Sequence, residues 1–144
     1  MEKLYLKILE LLSTIPELRY IDLDSGQLQE EIPPLLYPAV LVRINESKEN
    51  IDDLFQSVKG GFQLLVIDET FSKTNNLAPD AIREKGLDYM KLTTKIYKKL
   101  QGYEDDYFST FTNTGNTDQQ LRKGLKSIAQ QWTTIWRENM YNSN

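Results

Sequence analysis

The chain has 144 residues, a formal net charge of -4, no cysteine and no histidine. A chain of this length fits one domain at roughly 100–200 residues per domain and buries about 68–70% of its unfolded surface without staples. The missing residue types exclude a disulfide framework, a thiolate nucleophile, a Cys/His zinc site and any Ser-His-Asp or Cys-His hydrolase.

Leu4, Ile8, Leu11, Leu12 and Ile15 recur at spacings of three and four, which predicts an N-terminal helix ended by Pro16. Tyr20, Asp22 and Asp24 then alternate with Ile21 and Leu23, the pattern of a short half-buried strand that Ser25-Gly26 breaks. Residues 32–38 hold Pro33, Pro34 and Pro38 and form an extended lead-in, unsuited to a helix interior or a central strand. Residues 39–44 are rich in β-branched side chains and predict a strand. Residues 45–50 are polar and read as part of a charged loop, and 51–58 as a short helical turn or loop. Gly60-Gly61 reads as a sharp break giving flexible entry to a second strand over 62–68. Both strands are apolar enough to be central.

Residues 70–76 predict a polar loop. Pro79-Asp80 opens a long helix over about 79–101, with proline and an acid suited to its first turn. Its inward stripe is read as Ile82, Leu87, Met90, Thr93/Thr94, Tyr97 and Leu100. Its outer face carries Lys91, Lys95, Lys98 and Lys99, and Gly102 stops it. Residues 107–111 predict a short strand and 112–117 a loop. Residues 121–140 carry two conflicting signals. Leu121, Leu125, Ile128, Ala129, Trp132, Ile135, Trp136 and Met140 fit a helical period, whereas Trp132-Thr133-Thr134-Ile135-Trp136 is β-rich. Asn142-Ser143-Asn144 is expected to fray. The sum is one α+β domain over 1–144: a small mixed or antiparallel sheet packed against two helices, the N-terminal one and the long one.

The charge pattern narrows the partners. A pI near 4.9 argues against specific nucleic-acid binding. The lysines at 95, 98 and 99 and the basic residues 122, 123 and 126 suit solvated surfaces. Residues 4–12 include Lys7 and Glu10 with no small-residue cleavage site after them, so no signal peptide is expected. No run reaches the ~18 apolar residues of a membrane helix, and a cytoplasmic location follows as the expectation.

Candidate chemistry is sparse. Asp22-x-Asp24-x-Gly26 falls short of a calcium loop, since Gln27 and Pro33 stand where that loop needs its glycine and closing glutamate. Neighbouring acids such as Asp52/Asp53 and Asp105/Asp106 point apart on either regular element, so none makes an acid–base pair. Gly60-Gly61 precedes a strand, unlike a phosphate-binding loop. No catalytic, cofactor-binding or metal-binding residue is assigned, and no small-molecule substrate. Trp132 and Trp136, with Tyr37, are the candidates for core packing or subunit contact.

The order of elements carries a family likeness. A short helix ends in Leu11-Leu12-Ser13-Thr14-Ile15-Pro16. A strand leads through Ser25-Gly26-Gln27 to Tyr37-Pro38-Ala39-Val40-Leu41-Val42, a second long strand covers 61–68, and a loop and helix over 78–100 follow. A Phe-Ser strand near 108, a polar loop and a terminal aromatic segment complete the chain. This pattern resembles the small tail-completion proteins of tailed phages, the lambda-type tail terminators also found in prophages. The resemblance implies that residues 127–137 form a strand closing a mixed sheet. It also implies a hexameric ring that caps the tail tube and meets neck proteins, with no catalysis and no cofactor, in the cytoplasm or a virion. The alternative is a non-catalytic binding or regulatory adaptor domain, monomeric or dimeric.

Overall fold

The computed structural model describes residues 1–69 and 72–139. Helix α1 spans Glu2–Leu12, strand β1 Tyr20–Leu23, β2 Ala39–Asn50 and β3 Phe55–Glu69. Helices α2 (Asp80–Gly86) and α3 (Asp88–Leu100) follow, then β4 (Thr112–Gln119) and β5 (Leu125–Asn139). The fold is α+β, with one five-stranded mixed sheet in the order β1-β2-β3-β5-β4. Only β1–β2 is parallel; the other ladders are antiparallel.

The sheet's two faces have different fates. One buries Val40, Val42, Val58, Phe62, Leu64, Val66, Trp132 and Trp136 against Leu4, Ile8 and Leu12 of α1 and Leu92, Ile96 and Leu100 of α3. The opposite face buries Leu41, Leu65, Ile67 and Ala129 beneath Leu28, Leu35 and Tyr37. The proline-stiffened lead-in therefore acts as a strap over part of that face. Arg122 fastens it by donating to the backbone carbonyls of Leu28 (2.6 Å), Glu30 and Glu31. Arg122→Ala is expected to free residues 27–37, cost about 1–3 kcal/mol and speed amide exchange there. Arg122→Lys should rescue little, because an ammonium lacks the planar fork that reaches several carbonyls together. Hydrogen exchange read by mass spectrometry checks both outcomes.

Several expectations are corrected by tertiary contacts. Helix α1 stops at Leu12, three residues before Ile15, where the Ser13 and Thr14 hydroxyls donate back to the Leu9 and Leu11 carbonyls at 2.6 and 2.7 Å. Residues 45–50 continue β2, paired with 56–61 of β3. Gly60 and Gly61 lie inside β3 rather than breaking it. A Cβ on Gly60 would sit 2.4 Å from Cζ3 of Trp136, so that glycine makes room for an indole. The long helix is present but divided at Leu87. Gly86 there is buried, and a Cβ on it would lie 2.4 Å from Cγ2 of Thr74. The division resets the phase: Tyr89, Leu92, Thr93, Ile96 and Leu100 face inward, while Ile82, Met90 and Tyr97 are exposed. Gly102 ends the segment at φ 82°.

Residues 107–111 are not a strand, and 112–117, read as a loop, belong to β4. The aromatic run is an anchor instead. Phe108 and Phe111 are buried, and Asp105 accepts from the Tyr107 and Phe108 amides at 2.8 and 2.7 Å. Burial pushes the Asp105 carboxyl up, but those amides, the Tyr103 hydroxyl and Lys7 outweigh it and hold it below the usual carboxylate range. Residues 127–137 are strand, as the family likeness implied, within the longer β5. Phe71, Met140 and residues 142–144 lie outside the described residues.

Candidate assembly surface

The three aromatic candidates occupy two environments. Trp132 is 1% exposed and stacks on Phe62 at 6.0 Å with 6° between the rings. Trp136 is 3% exposed, packs edge-on against Phe108 at 5.7 Å and donates to Oε1 of Glu138 at 3.1 Å. Both indoles are committed to packing within the protomer, the first of the two roles expected of them. Tyr37 is half-buried beside the strap, joined to Pro38 by a cis peptide bond. Burial and the nearby Glu69 carboxylate push its phenol up, and Arg122 partly opposes them. Tyr37 thus keeps part of its surface open, whereas both indoles are buried.

The surface that sequence reasoning missed is backbone. The Asp24 amide donates to the Val42 carbonyl at 2.9 Å, so the even-numbered residues of β2 turn their N–H and C=O groups toward β1. Strand β1 ends at Leu23, opposite Val42. Beyond it, Ile44, Glu46, Lys48 and Asn50 aim those groups at an edge with no strand beside it among the described residues. The alternation carries across the ladders: odd residues of β3 face β2, even residues of β5 face β3, and odd residues of β4 from Gly115 on face β5. Asn116 and Asp118 of β4 therefore direct their backbone groups outward, at the opposite edge.

Proteins blunt such edges with proline, lysine, short strands or bulges. Strand β4 reads Thr-Asn-Thr-Gly-Asn-Thr-Asp-Gln, with no proline or lysine. Its register shift lies between Asn113 and Gly115 and leaves Gly115–Gln119 regular. Beside the free part of β2, an open cleft of about 730 Å³ is lined by Met1, Glu2, Tyr5, Leu23, Asp24, Ser25, Gly26, Val42, Arg43 and Ile44. It marks where β1 stops and β2 goes on alone. The strap leaves the distal half of its own sheet face open, where Arg43, Lys59, Gln131 and Arg137 are exposed. Exposed Ile51, Leu54 and Phe55 sit at the β2–β3 turn.

Other chemistry is local. Asp24 pairs with Arg43 at 2.7 Å and accepts from the Gly26 amide at 3.0 Å, so the Asp22/Asp24 pattern serves a turn. Among the described residues, no three Asp or Glu side chains gather at metal-binding distance. No helix there is long and apolar enough to cross a membrane.

Fold and surface together define an α+β chain whose mixed sheet, among the described residues, offers free backbone at both edges. No protein-family model matches the chain, and no curated protein does. Among solved structures, it is similar to a chain of one described as "Virion of native gene transfer agent (GTA) particle". That match has 12% identity and a TM-score of 0.47, and covers 90% of this chain and 84% of that one.

Proposed function

We propose that this chain is a structural protein of a phage or prophage virion, a tail terminator or head–tail joining component whose copies form a ring capping the tail tube. The supporting observation is the pair of free edges on opposite sides of one sheet, distal β2 and β4. A closed ring needs a heterologous contact, in which one patch meets a different patch on the next copy. Two unlike edges on one subunit supply that. The part of the element order that the fold retains, an N-terminal helix, two long paired strands, a helical segment and a terminal aromatic strand, resembles tail terminators and supports the same reading, and a hexamer is the number that resemblance implies. Tail tube and neck proteins are the partners, and the role involves no catalysis.

The test is electron microscopy of the purified protein, alone and added to a polymerising tail tube protein. Rings of one diameter, and tubes that stop growing with a ring at one end, are the expected result. A monomer in both settings, with tubes of unchanged length, would count against this reading and favour a non-catalytic adaptor domain.

A further inference from the structure

The free edges specify more than that copies associate; they specify a register. We propose that β4 of one copy adds antiparallel to the distal part of β2 in the next copy, with Asp118 opposite Lys48. This rests on the assembly reading above and goes further, because it names the contact.

Three independent constraints select that arrangement. The first is direction. Strands β2 and β5 run one way, and β3 and β4 the other. Placing copies side by side with the same face up sets β4 against β2 in antiparallel fashion without inverting either. The second is hydrogen-bond phase. The outward backbone groups belong to even residues on both edges: Glu46, Lys48 and Asn50 on β2, Asn116 and Asp118 on β4. In an antiparallel ladder, directly opposed residues whose backbones face each other exchange both hydrogen bonds, so even must oppose even. That requirement also keeps each sheet face continuous, because even residues of both strands share the helix-covered face.

The third constraint is charge, which separates the registers that remain. With Asp118 opposite Lys48, Asn116 opposes Asn50, Thr117 opposes Glu49 and Gln119 opposes Ser47, so no like charges meet. Sliding by two residues one way sets Asp118 against Glu46, a destabilising like-charge pair. Sliding the other way sets it against Asn50 and gains no charge pair. Lys48 already lies 3.3 Å from the Glu138 carboxylate. Asp118 is loosely held in its own chain, accepting from the Tyr89 hydroxyl at 3.4 Å.

The cleft fits this arrangement. The added strand lies in line with β1, and the end of β4 approaches the end of β1 at Leu23 and Asp24. Leu121, 54% exposed just past β4, comes level with Asn45, beside the cleft that Leu23 and Ile44 line. A second copy is the occupant that matches in direction, phase and charge together.

The absence of native cysteine allows a direct test. Glu49 and Thr117 fall at a non-hydrogen-bonded pair, where Cα atoms lie about 4.5 Å apart, within disulfide reach. A chain carrying Glu49→Cys and Thr117→Cys, mildly oxidised, is expected to give a ladder of covalent multimers on a non-reducing gel. Glu49→Cys with Thr112→Cys should not. Asp118→Lys should weaken association at least tenfold with an unchanged circular dichroism spectrum, its melting temperature falling only by what lost association accounts for. Copies that assemble without cross-linking at 49/117, or that ignore Asp118→Lys, would overturn the register and leave the assembly reading standing. Absence of association up to the solubility limit, alone and with polymerising tail tube protein, would overturn both. Assembly that appears only when another protein binds the β2 edge would overturn the proposal in favour of that partner.

Discussion

Trp132→Ala is expected to destabilise the protein by about 3–5 kcal/mol, the range for removing a fully buried large aromatic side chain. The indole is 1% exposed and sits where three elements meet. It stacks on Phe62 of β3, approaches Tyr97 of α3 at 6.3 Å and donates to Oε1 of Gln130 at 3.3 Å. Gln130 is itself fully buried and donates from Nε2 to the Thr93 carbonyl at 2.9 Å. The substitution therefore opens a cavity, removes a stacked pair and leaves the Gln130 oxygen without its donor. Trp132→Phe should cost less, since it keeps an aromatic ring against Phe62 while losing the N–H and part of the ring volume. Urea unfolding checks this: the midpoint should fall with little change in slope. A loss under 1 kcal/mol would mean that this face of the sheet is not the packed core.

Gly60→Ala is expected to cost about 1–3 kcal/mol by overpacking, an unusual penalty for adding one methyl inside a strand. The new Cβ would meet Cζ3 and Cη2 of Trp136 at 2.4 and 2.8 Å, and Leu4 Cδ2 at 3.3 Å. The ring has little room to yield, being flanked by Phe108 and tied to Glu138. A phenyl ring lacks the outer six-membered ring of the indole. Most of the Gly60→Ala penalty should therefore disappear in a Trp136→Phe background, and the double-mutant cycle should show a coupling of about 1 kcal/mol or more. Equal penalties in both backgrounds would place the cost in strand backbone instead. This pair explains Gly60; its neighbour Gly61 lies against Asn45, whose Oδ1 would be 2.6 Å from a Cβ there.

Apolar strand stretches were the most legible part of the sequence. Residues 39–42 and 64–67 declare themselves because both sheet faces are covered there, by helices on one side and the strap on the other. Where covering stops, the signal stops. Residues 45–50 and 112–119 are strands held by backbone pairing, with side chains largely in solvent, so neither burial nor alternation marks them. Residues 107–111 erred the other way: Phe108 and Phe111 are aromatic because they plug the core from an irregular loop. A single helical phase over 79–101 misplaces the inward stripe, because the division at Leu87 resets it. In the terminal segment the helical period was coincidental. Ile128, Trp132 and Trp136 face the helix side, but so do Gln130 and Thr134 between them, all buried, which is the period of two.

The candidate site was hard to read for the same reason. Of the residues nominated, Trp132 and Trp136 are core, and Tyr37 alone remains partly open. The free edges consist of N–H and C=O groups that every sequence carries. Their exposure follows from topology: β1 is short and β4 is last in the sheet. A hint lay in composition, since β4 lacks the lysine and proline that commonly protect an edge.

The assembly reading is tested most directly by light scattering on the eluting protein over a range of concentrations. A heterologous contact that closes gives one discrete mass, a fixed multiple of 16.8 kDa greater than two, that Asp118→Lys converts to monomer. A monomer at every concentration that stays a monomer when polymerising tail tube protein is added, or a species that stops at two copies, would contradict it.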